Sequence, residues 1–139
     1  MRYAYKITSF LVMKKTISVL LCVVLLLCFI ATVSAASTTF FTANRDGYHW
    51  VGSGTVSGNK ATAKITGTVI PNSQYIPAAD CNAESWVIGY DSNWNYLGGA
   101  HSVGTTYANA VFTATQDVYH MGAEFEFNGL TRGVYTLSR

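Results

Sequence analysis

The stretch VYHMGAEFEF, Val118 to Phe127, decides the fold class. Tyr119, Met121, Ala123, Phe125 and Phe127 fall on one side of an extended chain, and His120, Gly122, Glu124 and Glu126 on the other. Apolar and polar residues that alternate with period two predict a β-strand with one face in a core and the other in water.

Working outward, the same period recurs. Ala61, Ala63, Ile65 and Val69 alternate with Thr62, Lys64, Thr66 and Thr68. Trp86, Ile88 and Tyr90 make the apolar, core-facing set of another strand, and Ala108, Ala110, Phe112 and Ala114 that of a later one. Val134, Tyr135 and Leu137 mark a last strand over Leu130–Arg139. Turn residues separate these runs at Ser57-Gly58-Asn59-Lys60, Pro71-Asn72-Ser73, Asp91-Ser92-Asn93, Gln116-Asp117 and Asn128-Gly129. Pro77–Ala83 is the least regular stretch and reads as a loop crossing between sheets. About eight strands at spacings of roughly 8–12 residues predict an all-β fold, an antiparallel β-sandwich of immunoglobulin-like or jelly-roll-like kind, with a small barrel as the alternative. The turn Tyr90-Asp91-Ser92-Asn93 is similar to turns of many bacterial immunoglobulin-like modules, a likeness too short to transfer any functional residue.

The N-terminus reads differently. Residues 1–16 carry only positive charge, and ISVLLCVVLLLCFIATV (residues 17–33) is an apolar run. Val33-Ser34-Ala35 then supplies the small residues that a signal peptidase reads, so residues 1–35 are expected to be a cleaved signal peptide and 36–139 a single domain. Met13-Lys14-Lys15 offers a second, tidier start. An uncleaved anchor is the competing reading, because 17 apolar residues stand at the lower limit for a bilayer span. With cleavage, the product is expected to be secreted and extracellular, of bacterial type, with no membrane anchor.

Removing residues 1–35 from 139 leaves 104, enough for one core. Two of the three cysteines leave with the signal. Cys81 remains alone, as a buried small hydrophobe, a free thiol or half of an intermolecular disulfide, and no internal disulfide is possible. Five basic and seven acidic residues give the remaining chain a net charge of −2. That balance argues against nucleic acid as a partner.

Chemistry-bearing patterns are sparse. His49, His101 and His120 lie on different segments without ligand spacing, so no metal is expected. Asp91, Asn93 and Asn95 resemble half of a calcium loop, but Tyr96 stands where glycine is needed and Ser102 where the glutamate belongs. Glu124 and Glu126 share the wet face of their strand, where carboxylates are ordinary. No nucleophile elbow or phosphate-binding glycine motif is present. The expectation is a non-enzymatic protein without cofactor.

Aromatic residues are the remaining signal, fifteen of the 104. Trp86, Tyr90, Phe112, Phe125 and Phe127 fall on apolar faces and are assigned to the core. Trp94 sits at a turn among Asp, Ser and Asn, so Trp94, Tyr96, Asn93 and Asn95 form the first candidate binding surface. Tyr48 and Trp50 form a second. These residues suit a loop-borne site for a cell-envelope or extracellular glycan, or for a protein partner. A bacteriocin-like or membrane-active factor and a subunit of a surface assembly are the alternatives, and the oligomeric state is left open.

Overall fold

Left-handed two-residue turns organise the hairpins. Asp46-Gly47 (φ 53° and 80°) and Asn128-Gly129 (φ 46° and 70°) adopt the positive φ pair that matches strand twist. The computed structural model describes residues 34–139. Apart from Ser34 and Ala35, the expected signal peptide lies outside the described residues. Eight strands follow: β1 (Ala36–Arg45), β2 (Tyr48–Ser57), β3 (Lys60–Val69), β4 (Ala83–Tyr90), β5 (Tyr96–Gly104), β6 (Tyr107–Thr113), β7 (His120–Phe127) and β8 (Leu130–Ser138). They form two four-stranded antiparallel sheets, ordered β1-β2-β3-β6 and β5-β4-β7-β8. The fold is the expected all-β antiparallel sandwich, and the irregular stretch before Ala83 is the crossing from β3 to β4.

The core has two unlike halves. Under β1, β2, β7 and β8 it is built of rings. Phe41 packs on Phe127 at 5.7 Å and on Phe125 at 5.4 Å, while Trp50 stacks on Phe127 at 5.1 Å. A β-bulge between Thr39 and Phe41 lets Phe40 and Phe41, neighbours in sequence, both reach this cluster. Gly52, Gly54 and Gly67 lie beneath Phe41, Phe40 and Trp50, where a Cβ would strike the rings.

Under β3, β4 and β6 the core is built of small residues: Ala61, Ala63, Ala83, Ser85, Ala108 and Ala110, all buried. The sheets approach closely enough here for the Ala110 amide to donate to Ser85 Oγ at 3.1 Å. The neighbouring Asn109 amide donates to Ser102 Oγ at 3.2 Å. Phe112 fills the space left by Gly89 and Gly98. Cys81 is a buried free thiol, and its neighbour Tyr48 donates its hydroxyl to the Ile76 carbonyl.

Three inside/outside assignments are corrected. Trp86, Ile88 and Tyr90 face outward from β4, because its inward positions are Ala83, Ser85, Val87 and Gly89. Tyr119 is exposed and Val118 buried. The alternation changes phase there, because residues 114–119 cross between sheets, and the Val118 amide bonds back to the Gly58 carbonyl at 2.9 Å. Val69 is exposed because β6 pairs with β3 only as far as Thr66↔Tyr107.

Phe125 is fully buried against Phe40, Phe41 and Tyr135, so Phe125→Ala is expected to lower unfolding stability by roughly 3–5 kcal/mol. Ser85→Ala, which strands a buried amide, should cost about 1–3 kcal/mol. Glu124→Ala should change stability by less than about 0.5 kcal/mol. Urea unfolding checks all three, and equal losses for Phe125 and Glu124 would contradict the assignment of faces.

Candidate functional site

The outward turn of β4 creates the most site-like feature of the described residues. On the outer face of the β5-β4-β7-β8 sheet, strand register aligns side chains in rows. His101, Trp86 and Glu124 form one row. Gly99, Ile88 and Gly122 form the next, and Tyr96, Tyr90 and His120 the third. The middle row is low, since Ile88 stands between two glycines. The outer rows are tall. The result is an open groove of about 640 Å³ that crosses the strands, with lining residues from all four.

Its two walls are about 13 Å apart at the backbone, four strand residues from Trp86 to Tyr90. Four strands at about 4.8 Å spacing make the groove about 14 Å long. Val134 of β8, 73% exposed, closes one end beside Glu124. Glycine has a different basis at each floor position. At Gly99 a Cβ would press on the Val87 carbonyl at 2.7 Å, whereas at Gly122 it would meet only Tyr90 and Val134 at 3.9 Å. A larger side chain at 122 would therefore occupy the groove.

Each wall is stiffened by an indole–imidazole stack. Trp86 lies on His101 with centroids 4.4 Å apart and planes 6° from parallel. Nε2 of His101 lies 3.1 Å from Glu84 Oε2, and the Asn82 amide donates to Glu84 Oε1 at 3.0 Å. The Asn82 amide, followed by the His101 ring, holds the Glu84 carboxyl below the usual range against an opposing contribution from burial. On the other wall Tyr90 packs against Trp94 at 5.7 Å, and Trp94 stacks on His120 at 4.0 Å with planes 3° apart. Nδ1 of His120 lies 2.7 Å from the Ser138 hydroxyl.

The β4–β5 loop is tied by one carboxylate. Asp91 Oδ1 accepts from the Asn93 amide at 2.8 Å and the Asn95 amide at 2.9 Å, and Oδ2 accepts from the Asn95 side chain at 2.8 Å. This knot holds Trp94 at φ 64°, a conformation a bulky residue rarely adopts. Trp94 is thereby kept 51% exposed while its ring lies against His120.

The expected loop surface thus keeps some of its members and loses others. Trp94, Tyr96, Asn93 and Asn95 do share one loop end, with Trp94 backing the Tyr90 wall. Asn95 spends its amide on Asp91. Tyr48 and Trp50 form no second surface, because both are buried, with the Trp50 indole donating to the Arg45 carbonyl at 3.3 Å. Sequence reasoning missed Trp86, Tyr90, His101 and Glu124 as groove residues. The available signal was the small-residue set Ala83, Ser85, Val87 and Gly89 on the opposite face of β4. No protein-family model matches the chain, and comparison with curated proteins returns no match.

The Asn95 side chain, then the Asn95 backbone amide, hold the Asp91 carboxyl below its usual range. A carboxyl lowered in the folded state stabilises it above the unfolded value of about 3.9, and that contribution fades as pH falls through the lowered folded value. NMR titration is expected to place the Asp91 midpoint below that of free aspartate, with Asn95→Ala moving it upward. An unchanged midpoint in Asn95→Ala would contradict the described loop.

Proposed function

We propose that this protein is a secreted, non-enzymatic binding domain that holds an extended glycan chain in the groove on the outer face of the β5-β4-β7-β8 sheet. The observation that carries this reading is the pair of aromatic walls, Trp86 on His101 and Tyr90 with Trp94, flanking a glycine-lined floor. A pyranose ring has an apolar C–H face and a rim of hydroxyls. Indole and phenol faces match the first, and a few polar groups at the edges match the second. Glu124 and His101 provide such groups along one wall. The groove is open at the surface, as access to a polymer requires, and about 14 Å of length accommodates about three linked rings.

The rings and the scaffold are independent, which helps recognition. The walls stand outside a core that is complete without them, so their side chains need not move to admit a ligand, and little ordering cost falls on binding. Stacking against the histidines immobilises both indoles before the ligand arrives.

Retention of the purified protein on insoluble cellulose, chitin and peptidoglycan tests the proposal. One matrix at least is expected to retain it. Trp86→Ala and Tyr90→Ala should each weaken that retention roughly tenfold, Trp94→Ala somewhat less, and Gly122→Val should block it, since wall aromatics of this kind contribute about 1–2 kcal/mol each. Thermal unfolding of the outer-face variants should stay close to that of the parent. Failure of every matrix to retain the protein, or undiminished retention of Trp86→Ala and Tyr90→Ala, would overturn the reading.

A further inference from the structure

The groove is charged at one point. Glu124 lines it, paired in register with Trp86 and next to Val134. Among the described residues Glu124 makes no hydrogen bond or salt bridge with the protein, whereas Glu84 is held by Asn82 and His101, and Asp91 by its own loop. The arginine and lysine side chains are elsewhere, and the imidazole that lines the groove, His101, has its Nε2 on the Glu84 carboxylate. Arg45 pairs with Asp46, Arg139 with Asp117, Arg132 lies over Phe41, and Lys60 and Lys64 belong to the other sheet. No lysine or arginine lines the groove.

A half-buried carboxylate beside an indole, with no cation of its own, is complementary to a ligand cation. The aromatic faces on both walls also attract positive charge through their ring quadrupoles. Uronic acid or sulfated chains would instead bring like charge against Glu124. Resting on the glycan-binding reading, we infer that the groove selects an amino-sugar chain with free amines, a partly or fully de-N-acetylated polysaccharide. One ring of that chain lies on Trp86 and its ammonium donates to the Glu124 carboxylate. Glu124 is the residue that sets specificity, and the aromatic walls supply affinity that is indifferent to acetylation.

Calorimetric titration of the purified protein with three soluble probes separates these roles. The probes are the β-1,4 hexamer of glucosamine, the β-1,4 hexamer of N-acetylglucosamine, and an oligogalacturonate, at a slightly acidic pH where the sugar amines are protonated. The glucosamine hexamer is expected to bind about tenfold more tightly than the acetylated one, the effect of one charge-assisted hydrogen bond, and to weaken as salt is raised. Glu124→Gln should remove that preference, so that both hexamers bind with similar affinity through the aromatic walls. Equal affinity for the two hexamers, a preference that survives in Glu124→Gln, or tightest binding of the oligogalacturonate would each overturn the inference. In those cases, loss of binding in Trp86→Ala would still uphold the glycan groove. Absence of binding to all three probes, together with no retention on the insoluble matrices, would remove the groove reading itself.

Discussion

The hydrogen bond from the Ala110 amide to Ser85 Oγ is the contact on which the rest of the molecule turns. It joins a strand of one sheet to a strand of the other, which is possible only where side chains between them are very small. Alanine, serine and glycine occupy most of those positions on β3, β4 and β6, with Ile65, Val87 and Phe112 the larger members, and the sheets close together around Ser85 and Ala110. The other half of the sandwich is wedged open by Phe40, Phe41, Trp50, Phe125 and Phe127. A core thick with rings on one side and thin on the other explains how eight strands close over few large residues. Its stability rests on burial, since the single cysteine of the described residues, Cys81, is a free thiol.

From that thin half follows the groove. A strand has two faces, and β4 must give its small set to the interior. Trp86, Ile88 and Tyr90 are left on the outside by necessity, in a sheet whose neighbouring strands offer Gly99 and Gly122 at the same level. The histidines then cover one face of each indole, and Asp91 fixes the loop that carries Trp94. Exposed aromatics at this density need a reason, and a bound ligand supplies one. The same reasoning favours a site built on strands over one built on loops, because strand positions are held more rigidly.

Most of the architecture was legible in the sequence. Period-two alternation in β3, β6 and β7 named the buried residues Ala61, Ala63, Ile65, Ala108, Ala110, Met121, Ala123, Phe125 and Phe127, and turn residues located the strand ends. β4 presents to the core the face opposite to the one its large apolar residues indicate. Apolar side-chain area ranks Trp86, Ile88 and Tyr90 above Ala83, Ser85, Val87 and Gly89, but Phe112 of the opposing strand β6 occupies the space over Gly89 and the Ala110 amide reaches Ser85 directly, so the large side chains of β4 do not fit inward. The bulge that turns both Phe40 and Phe41 inward has no mark in the local pattern. The polar turn marks Trp94, yet its stacking partner His120 lies on a strand distant in sequence. Tyr48 and Trp50 look, in isolation, like the same kind of aromatic pair as Trp94 and Tyr96; only the ring cluster on β7 shows that they belong to the core.

The three tryptophans make the central claim directly measurable, because each indole N–H gives its own NMR signal. Trp86 lines the groove and Trp94 packs behind its Tyr90 wall, while Trp50 is buried with its N–H bonded to the Arg45 carbonyl. Titration with the glucosamine hexamer is predicted to shift the Trp86 and Trp94 indole signals and the Gly122 amide while Trp50 stays fixed. Shifts confined to the β1-β2-β3-β6 sheet, with the Trp86 and Trp94 indoles unmoved, would contradict the account.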